Sequence, residues 1–299
     1  MRLEIAGAID IQKTIEYNIC MRKMNKRIQT IIFLCLLTLL TGCAGNNAAK
    51  TEIQVFTAAS LDRAMTEISE NYEENHPDVN IICNADSSGK LRTQIEEGFD
   101  CDIFFAASES DMDILKEKGF LLQDTRYDVL RNQLVLIGRK DCETRVSGLI
   151  NINEAQNIAL ASESVPAGRY TRIAMANLDI IPNDIKPSEA TTKDISEILC
   201  GPEISEMDNV SKVLTSVKEG ICEVGTTYIS DVYGYEDEIR IIEKVPSDLT
   251  GEIIYPISGV INKTSGEAHN TAVHDFIKYI LSEDAKKIFE KYGFMTNVK

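Results

Sequence analysis

From Glu52 to Gly119 the chain alternates three times between a short strand-forming run and an amphipathic stretch, and that rhythm narrows the folds open to it. Glu52-Ile-Gln-Val-Phe-Thr57 reads as a strand, and Leu61 to Asn75 carries Leu61, Ala64, Met65, Ile68 and Tyr72 at helical spacing. Val79 to Cys83 is a second strand, followed by a helix over Leu91 to Glu97 that Gly98 closes. Asp102-Ile-Phe-Phe-Ala106 is a third strand, and Asp111 to Lys118 a third helix ending at Gly119. Strands separated by helices in this way pair in parallel, with crossover helices covering the sheet.

A second set follows. Gln133 to Gly138, Asn157 to Ala161, Glu223 to Thr227 and Ile239 to Glu243 read as strands. Ala167 to Leu178 and Val210 to Glu219 read as helices, the latter with Val210, Val213, Leu214 and Val217 on one face. Glu252 to Ile261 is a long strand broken by Pro256, and helices over His269 to Leu281 and Glu283 to Tyr292 finish the chain. The pattern predicts an α/β protein of two lobes, with chain crossings near Tyr127–Asn132 and Ser247–Tyr255. Residues 51–130 with 253–299 form the first lobe, and 131–252 the second. Ligands of such sheets bind outside the carboxyl ends of the strands, here in the cleft between lobes.

The N-terminal segment bears on compartment. Arg22, Lys23, Lys26 and Arg27 form a basic cluster, and an uncharged, largely apolar run follows from Ile31 to Leu40. The run is shorter than the roughly 20 apolar residues of a membrane span, and the pattern is that of a secretory signal. It ends in Leu40-Thr41-Gly42-Cys43, which resembles the lipobox of bacterial lipoproteins. That likeness implies a signal over 1–42, acylation of Cys43, a tether over 43–50 and a place on the extracytoplasmic face of the membrane. Residues before Met21 do not look like part of a signal, so translation is expected to start at Met21 or Met24.

The net charge of −16 excludes a nucleic-acid binder, whose footprint is basic. It also works against an anion binder at long range, but screening confines that field to about 8–10 Å at physiological salt. Any anion site must then be built from local dipoles. Of eight Cys, Cys83, Cys101, Cys142, Cys200 and Cys222 lie in the expected mature chain, an odd number with no C-x-x-C pair. No zinc site or redox motif is expected, and at least one thiol stays unpaired.

Such dipoles are available at four strand-to-helix junctions. Thr57-Ala-Ala-Ser60 places Ser60 as a helix N-cap, and Asp86-Ser-Ser-Gly89 does the same for the next helix. Val165-Pro-Ala-Gly168 and Asp208-Asn-Val210 open two helices of the second half. A helix N-terminus offers unpaired N–H groups and about half a positive charge, so an anion there needs no Lys or Arg. A single Ser before a helix is usually only a cap; four junctions facing one cleft point to a site.

These residues resemble the periplasmic molybdate-binding proteins. Val55-Phe-Thr-Ala-Ala-Ser-Leu61, Asp86-Ser-Ser-Gly89 and Asp102-Ile-Phe-Phe-Ala-Ala107 look like that family's first lobe. Val165-Pro-Ala-Gly-Arg-Tyr170, Val224-Gly-Thr-Thr-Tyr228 and the terminal Ile288-Phe-Glu-Lys-Tyr-Gly-Phe294 are similar to the rest, so the likeness covers essentially residues 51–299. It implies a type II periplasmic binding fold, with a mixed sheet in each lobe. It also implies a tetrahedral oxyanion, molybdate or tungstate, held by Ser60 and Ser88, by backbone N–H of Ala167 and Val210, and by the Tyr228 hydroxyl. Ser87 is a possible addition to that set. The molybdenum would be held only as its oxyanion, with no direct metal ligand and no cofactor. The expected partners are the permease subunits of an ABC importer, and the protein is expected to be monomeric. Asp86 departs from the family, where Ala or Ser is common; it is expected to cap a helix and point away from the cleft.

Other readings remain. Sulfate or phosphate is the nearest, and protonated phosphate would reward a carboxylate in the site, for which Asp86 and Asp208 lie close in sequence. An exported enzyme on the same scaffold lacks support: there is no G-x-S-x-G, H-E-x-x-H or P-loop. The three His, His76, His269 and His274, read as structural or solvated, and neither Cys83 nor Cys101 has an evident activating base. A regulator's effector domain is a third possibility, opposed by the export-like N-terminus.

Overall fold

A computed structural model describes residues 50–262 and 266–298. The expected signal, Cys43 and all of the tether but Lys50 lie outside the described residues.

The first lobe is built on β1 (Thr51–Ala58), β2 (Val79–Asp86) and β3 (Ile103–Phe105). β1 lies between the other two, parallel to both. The crossover helices are α1 (Asp62–Asn75), which a short 3-10 turn over Ala59–Leu61 precedes, and α2 (Ser88–Glu96). α3 (Glu109–Glu117) follows β3, and β4 (Tyr127–Asn132) runs along the sheet's far edge. Ile53, Val55, Ile103 and Phe105 of the strands pack with Met65 and Ile68 of α1, all fully buried. Burying such side chains is worth about 1.5–3 kcal/mol each, which is what holds helix to sheet.

The second lobe repeats the plan. β5 (Leu134–Arg139), β6 (Asn157–Ala161), β7 (Glu203–Met207), β8 (Val224–Tyr228) and β9 (Ile239–Lys244) form a five-stranded sheet ordered β7-β6-β8-β5-β9. β6 is parallel to β7 and β8, while β5 is antiparallel to β8 and β9. Its helices are α4 (Pro166–Asn177), α5 (Thr192–Leu199), α6 (Val210–Lys218) and the single turns α7 (Ile229–Val232) and α8 (Ser247–Thr250). β10 (Ile253–Gly259) then enters the first sheet, ordered β2-β1-β3-β10-β4, antiparallel to β3 and β4. α9 (Glu267–Ile280) and α10 (Glu283–Lys291) close the first lobe; Phe289 of α10 meets Phe105 edge-on at 6.0 Å.

The chain passes between sheets twice. β4 and β5 are separated by Gln133 alone, and the return runs from Lys244 through α8 to Ile253. Arg131 and Asn132 pair with Ile254 and Ile253, so the first sheet runs two residues past the expected limit of 130. The register of β10 against β4 shifts between Tyr255 and Pro256, because proline has no N–H to give the ladder.

Several elements are not expected from the sequence pattern: β4, which reads only as a chain crossing, the single turns α7 and α8, β7 and α5. β7 is an edge strand of half-exposed residues with no apolar alternation, and α5 is marked by a cap, where Thr191 and Asp194 bond each other reciprocally, and by Ile195 and Leu199 buried on one face. The five described cysteines, Cys83, Cys101, Cys142, Cys200 and Cys222, are all unpaired.

Candidate functional site

The ends of β1, β2, β6 and β8 converge on one cavity. Its wall consists of Ala58, Ala59, Ser60, Ser87, Ser88 and Ala107 from the first lobe and Val165, Pro166, Ala167, Asn209, Val210 and Tyr228 from the second. About 200 Å³ of atom-free space lies between these residues, part of it open to solvent. Every expected ligand residue, Ser60, Ser88, Ala167, Val210 and Tyr228, stands in this wall, and so does Ser87.

A larger hollow, about 1030 Å³ on the same measure, lies at the other end of the first lobe, between Gly98 and Gly119. Those glycines follow the C-terminal ends of α2 and α3, where exposed carbonyls repel an anion. The smaller cavity faces helix N-termini and is the better oxyanion site.

Each hydroxyl has a distinct tie to the protein. Ser88 is fully buried, and its Oγ accepts a hydrogen bond from the Ala107 N–H at 2.9 Å. Its own hydrogen is therefore free to point elsewhere. Ser60 is not the helix cap expected: it sits within the 3-10 turn ahead of α1, and its Oγ lies 2.8 Å from the Tyr255 hydroxyl. Asn132 Nδ2 donates to that same tyrosine oxygen at 3.0 Å and to Ser230 Oγ at 2.8 Å, while Asn132 Oδ1 accepts from Gln133 N–H. The backbone donor fixes which way the Asn132 amide faces. Among the described residues Ser60 is the one acceptor within reach of the Tyr255 hydrogen, so the arrangement that satisfies both groups has Tyr255 donating to Ser60 and the Ser60 hydrogen turned to the cavity. The hydroxyl of Tyr228 is buried and has no partner among the described residues. Burial raises the pKa of Tyr228 and of Tyr255 well above the usual tyrosine range, so both stay protonated donors.

Backbone N–H groups supply the rest. α2, α4 and α6 begin at Ser88, Pro166 and Val210, and the first N–H groups of a helix have no carbonyl within it. Three helix N-termini and one 3-10 turn thus face the cavity, where four helix caps were expected. The Ala167 loop is held from behind. A Cβ on Gly168 would stand 2.1 Å from Ser162 O, so only glycine allows this approach. The fully buried Arg172 donates to Ala161 O at 2.8 Å and Gly168 O at 2.9 Å, tying the start of α4 to the end of β6.

No carboxylate enters the wall. Asp86 accepts from Ser87 N–H at 2.8 Å, from Lys90 and, across the cleft, from Asn209 Nδ2 at 3.2 Å. Burial pushes the Asp86 carboxyl up, but the bonds from Lys90, Ser87 and Asn209 outweigh it and leave it below the usual carboxylate range. It ties down the start of α2 as expected, but it also bridges the lobes at the rim. Asp208 pairs with Lys212 in solvent. His76 stacks on Tyr72 with ring centroids 3.9 Å apart, and His269 bonds Asp102 at 2.8 Å, neither at the cavity. Burial raises Cys101 far beyond reactivity and also lifts Cys83.

Residues 53–295 match the profile of a family described as bacterial extracellular solute-binding protein. The chain belongs to that family. It is 30% identical over 272 residues to YvgL of Bacillus subtilis, provisionally named an ABC transporter substrate-binding lipoprotein, covering 88% of this chain and 96% of that one. It is 27% identical over 265 residues to the molybdate-binding protein ModA of Haemophilus influenzae, covering 86% and 94%. Among solved structures, a substrate-binding domain assigned to a molybdenum ABC transporter of Clostridium difficile matches at 33% identity and a TM-score of 0.58, covering 83% of this chain and 99% of that one. The likeness to molybdate-binding proteins and the two-lobed fold with a mixed sheet in each lobe therefore both hold.

Proposed function

We propose that the cleft captures a fully ionised tetrahedral oxyanion, molybdate or tungstate, and delivers it to the permease subunits of an ABC importer. One observation carries this reading: the wall offers donors and no ionised acceptor. Ser60 and Ser88 each accept from inside the protein and so present a hydrogen outward, and among the described residues Tyr228 has nothing else to bond and no Asp or Glu lines the cavity. Such a wall favours molybdate, tungstate and sulfate over monohydrogen phosphate, whose proton needs an acceptor. Small side chains at Ala58, Ala59, Ala107 and Ala167 line the cavity, and the names of the relatives point to molybdate.

Capture works by closure. Each lobe holds part of the donor set, so the ligand stabilises the closed arrangement more than the open one. The protein acts as a carrier rather than a catalyst, since the wall holds no base beside its hydroxyls. Leu-Thr-Gly-Cys43 supports a lipid anchor on the extracytoplasmic face.

Calorimetric competition among molybdate, tungstate, sulfate and phosphate tests the reading. Molybdate and tungstate are expected to bind tightest, and at 100 times the dissociation constant either should add about 2.7 kcal/mol of stability. Ser60→Ala and Ala167→Asp should each abolish that gain with the fold intact. Preference for phosphate, or full binding by Ala167→Asp, overturns it.

A further inference from the structure

Away from the cavity, the lobes also meet along a seam between α2 and α3 on one side and α4 on the other. Arg169 of α4 reaches into the first lobe, where NH2 bonds Asp111 Oδ2 at 2.5 Å and Ser108 Oγ at 3.0 Å. Its NH1 donates to Ser164 O of its own lobe at 2.8 Å, which fixes the guanidinium plane. Asp111 is nearly sealed from solvent, and Arg92 Nε holds its other oxygen at 3.1 Å. Beside this pair, Gly89 at the start of α2 presses on Ser164: a Cβ there would sit 2.1 Å from the Ser164 carbonyl oxygen. That contact is with rigid backbone, so even one methyl group cannot be accommodated while the lobes are closed.

We propose that Arg169 and Gly89 form a closure lock outside the ligand cavity, which sets how long a bound oxyanion is retained. Gly89 allows the two backbones to close, and the Arg169–Asp111 pair forms only once they have. On opening, Asp111 keeps Arg92 and Ser108 as partners, so the open form carries no unpaired buried carboxylate. The lock therefore favours the closed state without penalising the open one. The ligand enters the open form, so the lock acts on release and leaves capture alone. Arg169 is a positioning residue in this scheme, because it acts on the ligand only through the lobes.

The lock rests on the oxyanion reading for its probe, and the two are separable. Sodium molybdate binding is followed by tyrosine fluorescence in stopped flow, with small-angle scattering on each protein with and without molybdate. Arg169→Ala should raise the release rate tenfold or more with a capture rate within twofold of wild type, and Arg169→Lys should recover most of the retention. Gly89→Ala should stay at the open radius in saturating molybdate. Its unliganded melting point should be unchanged or higher, since alanine favours a helix. Wild-type release rates in Arg169→Ala, or a Gly89→Ala protein with wild-type radii both with and without molybdate, overturn the lock. Failure of wild type to bind any of the four anions overturns the oxyanion reading instead, and the unliganded radii then decide the lock: a wild type more compact than Gly89→Ala supports it, and equal radii overturn it.

Discussion

The Tyr255 hydroxyl lies 2.8 Å from Oγ of Ser60, joining the strand that returns from the second lobe to the first wall of the cleft. Asn132, at the end of the outgoing strand, donates to the same hydroxyl. Both chain crossings thus meet behind one ligand-facing serine. The order of donors from Asn132 to Tyr255 to Ser60 decides which way the serine hydrogen points.

Tyr255→Phe tests that chain. The ring keeps its edge-on contacts with Tyr228 at 5.8 Å and Phe294 at 5.5 Å, so the lobe should fold normally. Ser60 loses its internal donor and becomes free to turn its hydrogen away from the ligand. Molybdate affinity should fall about tenfold, or about 1.4 kcal/mol, in calorimetry. Unchanged affinity would mean that Ser60 does not depend on this bond.

Tyr228→Phe separates binding from stability. The Tyr228 hydroxyl bonds none of the described residues, so deleting it removes no interaction among them. The unliganded variant should unfold in urea within about 0.5 kcal/mol of wild type, a small change by the standard of single substitutions. Its oxyanion affinity should fall tenfold or more. A large loss of stability would assign the hydroxyl a structural partner instead.

The residues of the cavity wall were legible because most sit where an apolar run meets a helix start. Small residues and a serine at such a junction leave a local mark in the sequence. Tyr255 and Asn132 left none: they lie 195 and 98 residues from the partners they orient, Ser60 and Ser230, and each reads alone as a residue of a connecting strand. The seam is hidden for the same reason, since Arg169 and Asp111 are 58 residues apart and become neighbours only when the lobes close. Ser60 was placed correctly in the wall for a partly wrong reason, because its oxygen bonds a side chain rather than capping a helix.

Asp231 gives the fold a pH dependence. Burial raises its carboxyl from the ordinary aspartate value to about 6, against the lowering effect of bonds from Thr227 and the Tyr228 N–H. A folded-state value above the unfolded one means that the folded protein holds this proton more tightly. The group's contribution is therefore fully present below about pH 4 and is lost as pH rises through 6, by at most about 3 kcal/mol. Asp231→Asn removes the titration. Urea unfolding at pH 4.5 and 7.5 should show the variant gaining on wild type at the higher pH. A constant difference between the two proteins would contradict the assignment.

Asp86 decides between two accounts of anion choice. If its carboxylate served as the acceptor for a protonated phosphate, Asp86→Asn would weaken phosphate and spare sulfate and molybdate. Its oxygens are instead taken up by Lys90 and by two residues of the wall's rim, Ser87 N–H and Asn209, while Asp86 itself does not line the cavity. The expected outcome is a modest, equal loss for every anion, about threefold, from a weaker Asp86–Asn209 bridge between lobes, since one half-buried hydrogen bond contributes only about 0.5–1.5 kcal/mol. Calorimetry with the four anions on both proteins reads this directly. The ratio of affinities should stay constant while their absolute values fall together. A change in the phosphate ratio alone would place the carboxylate in the site and remove the main support for a donor-only cleft.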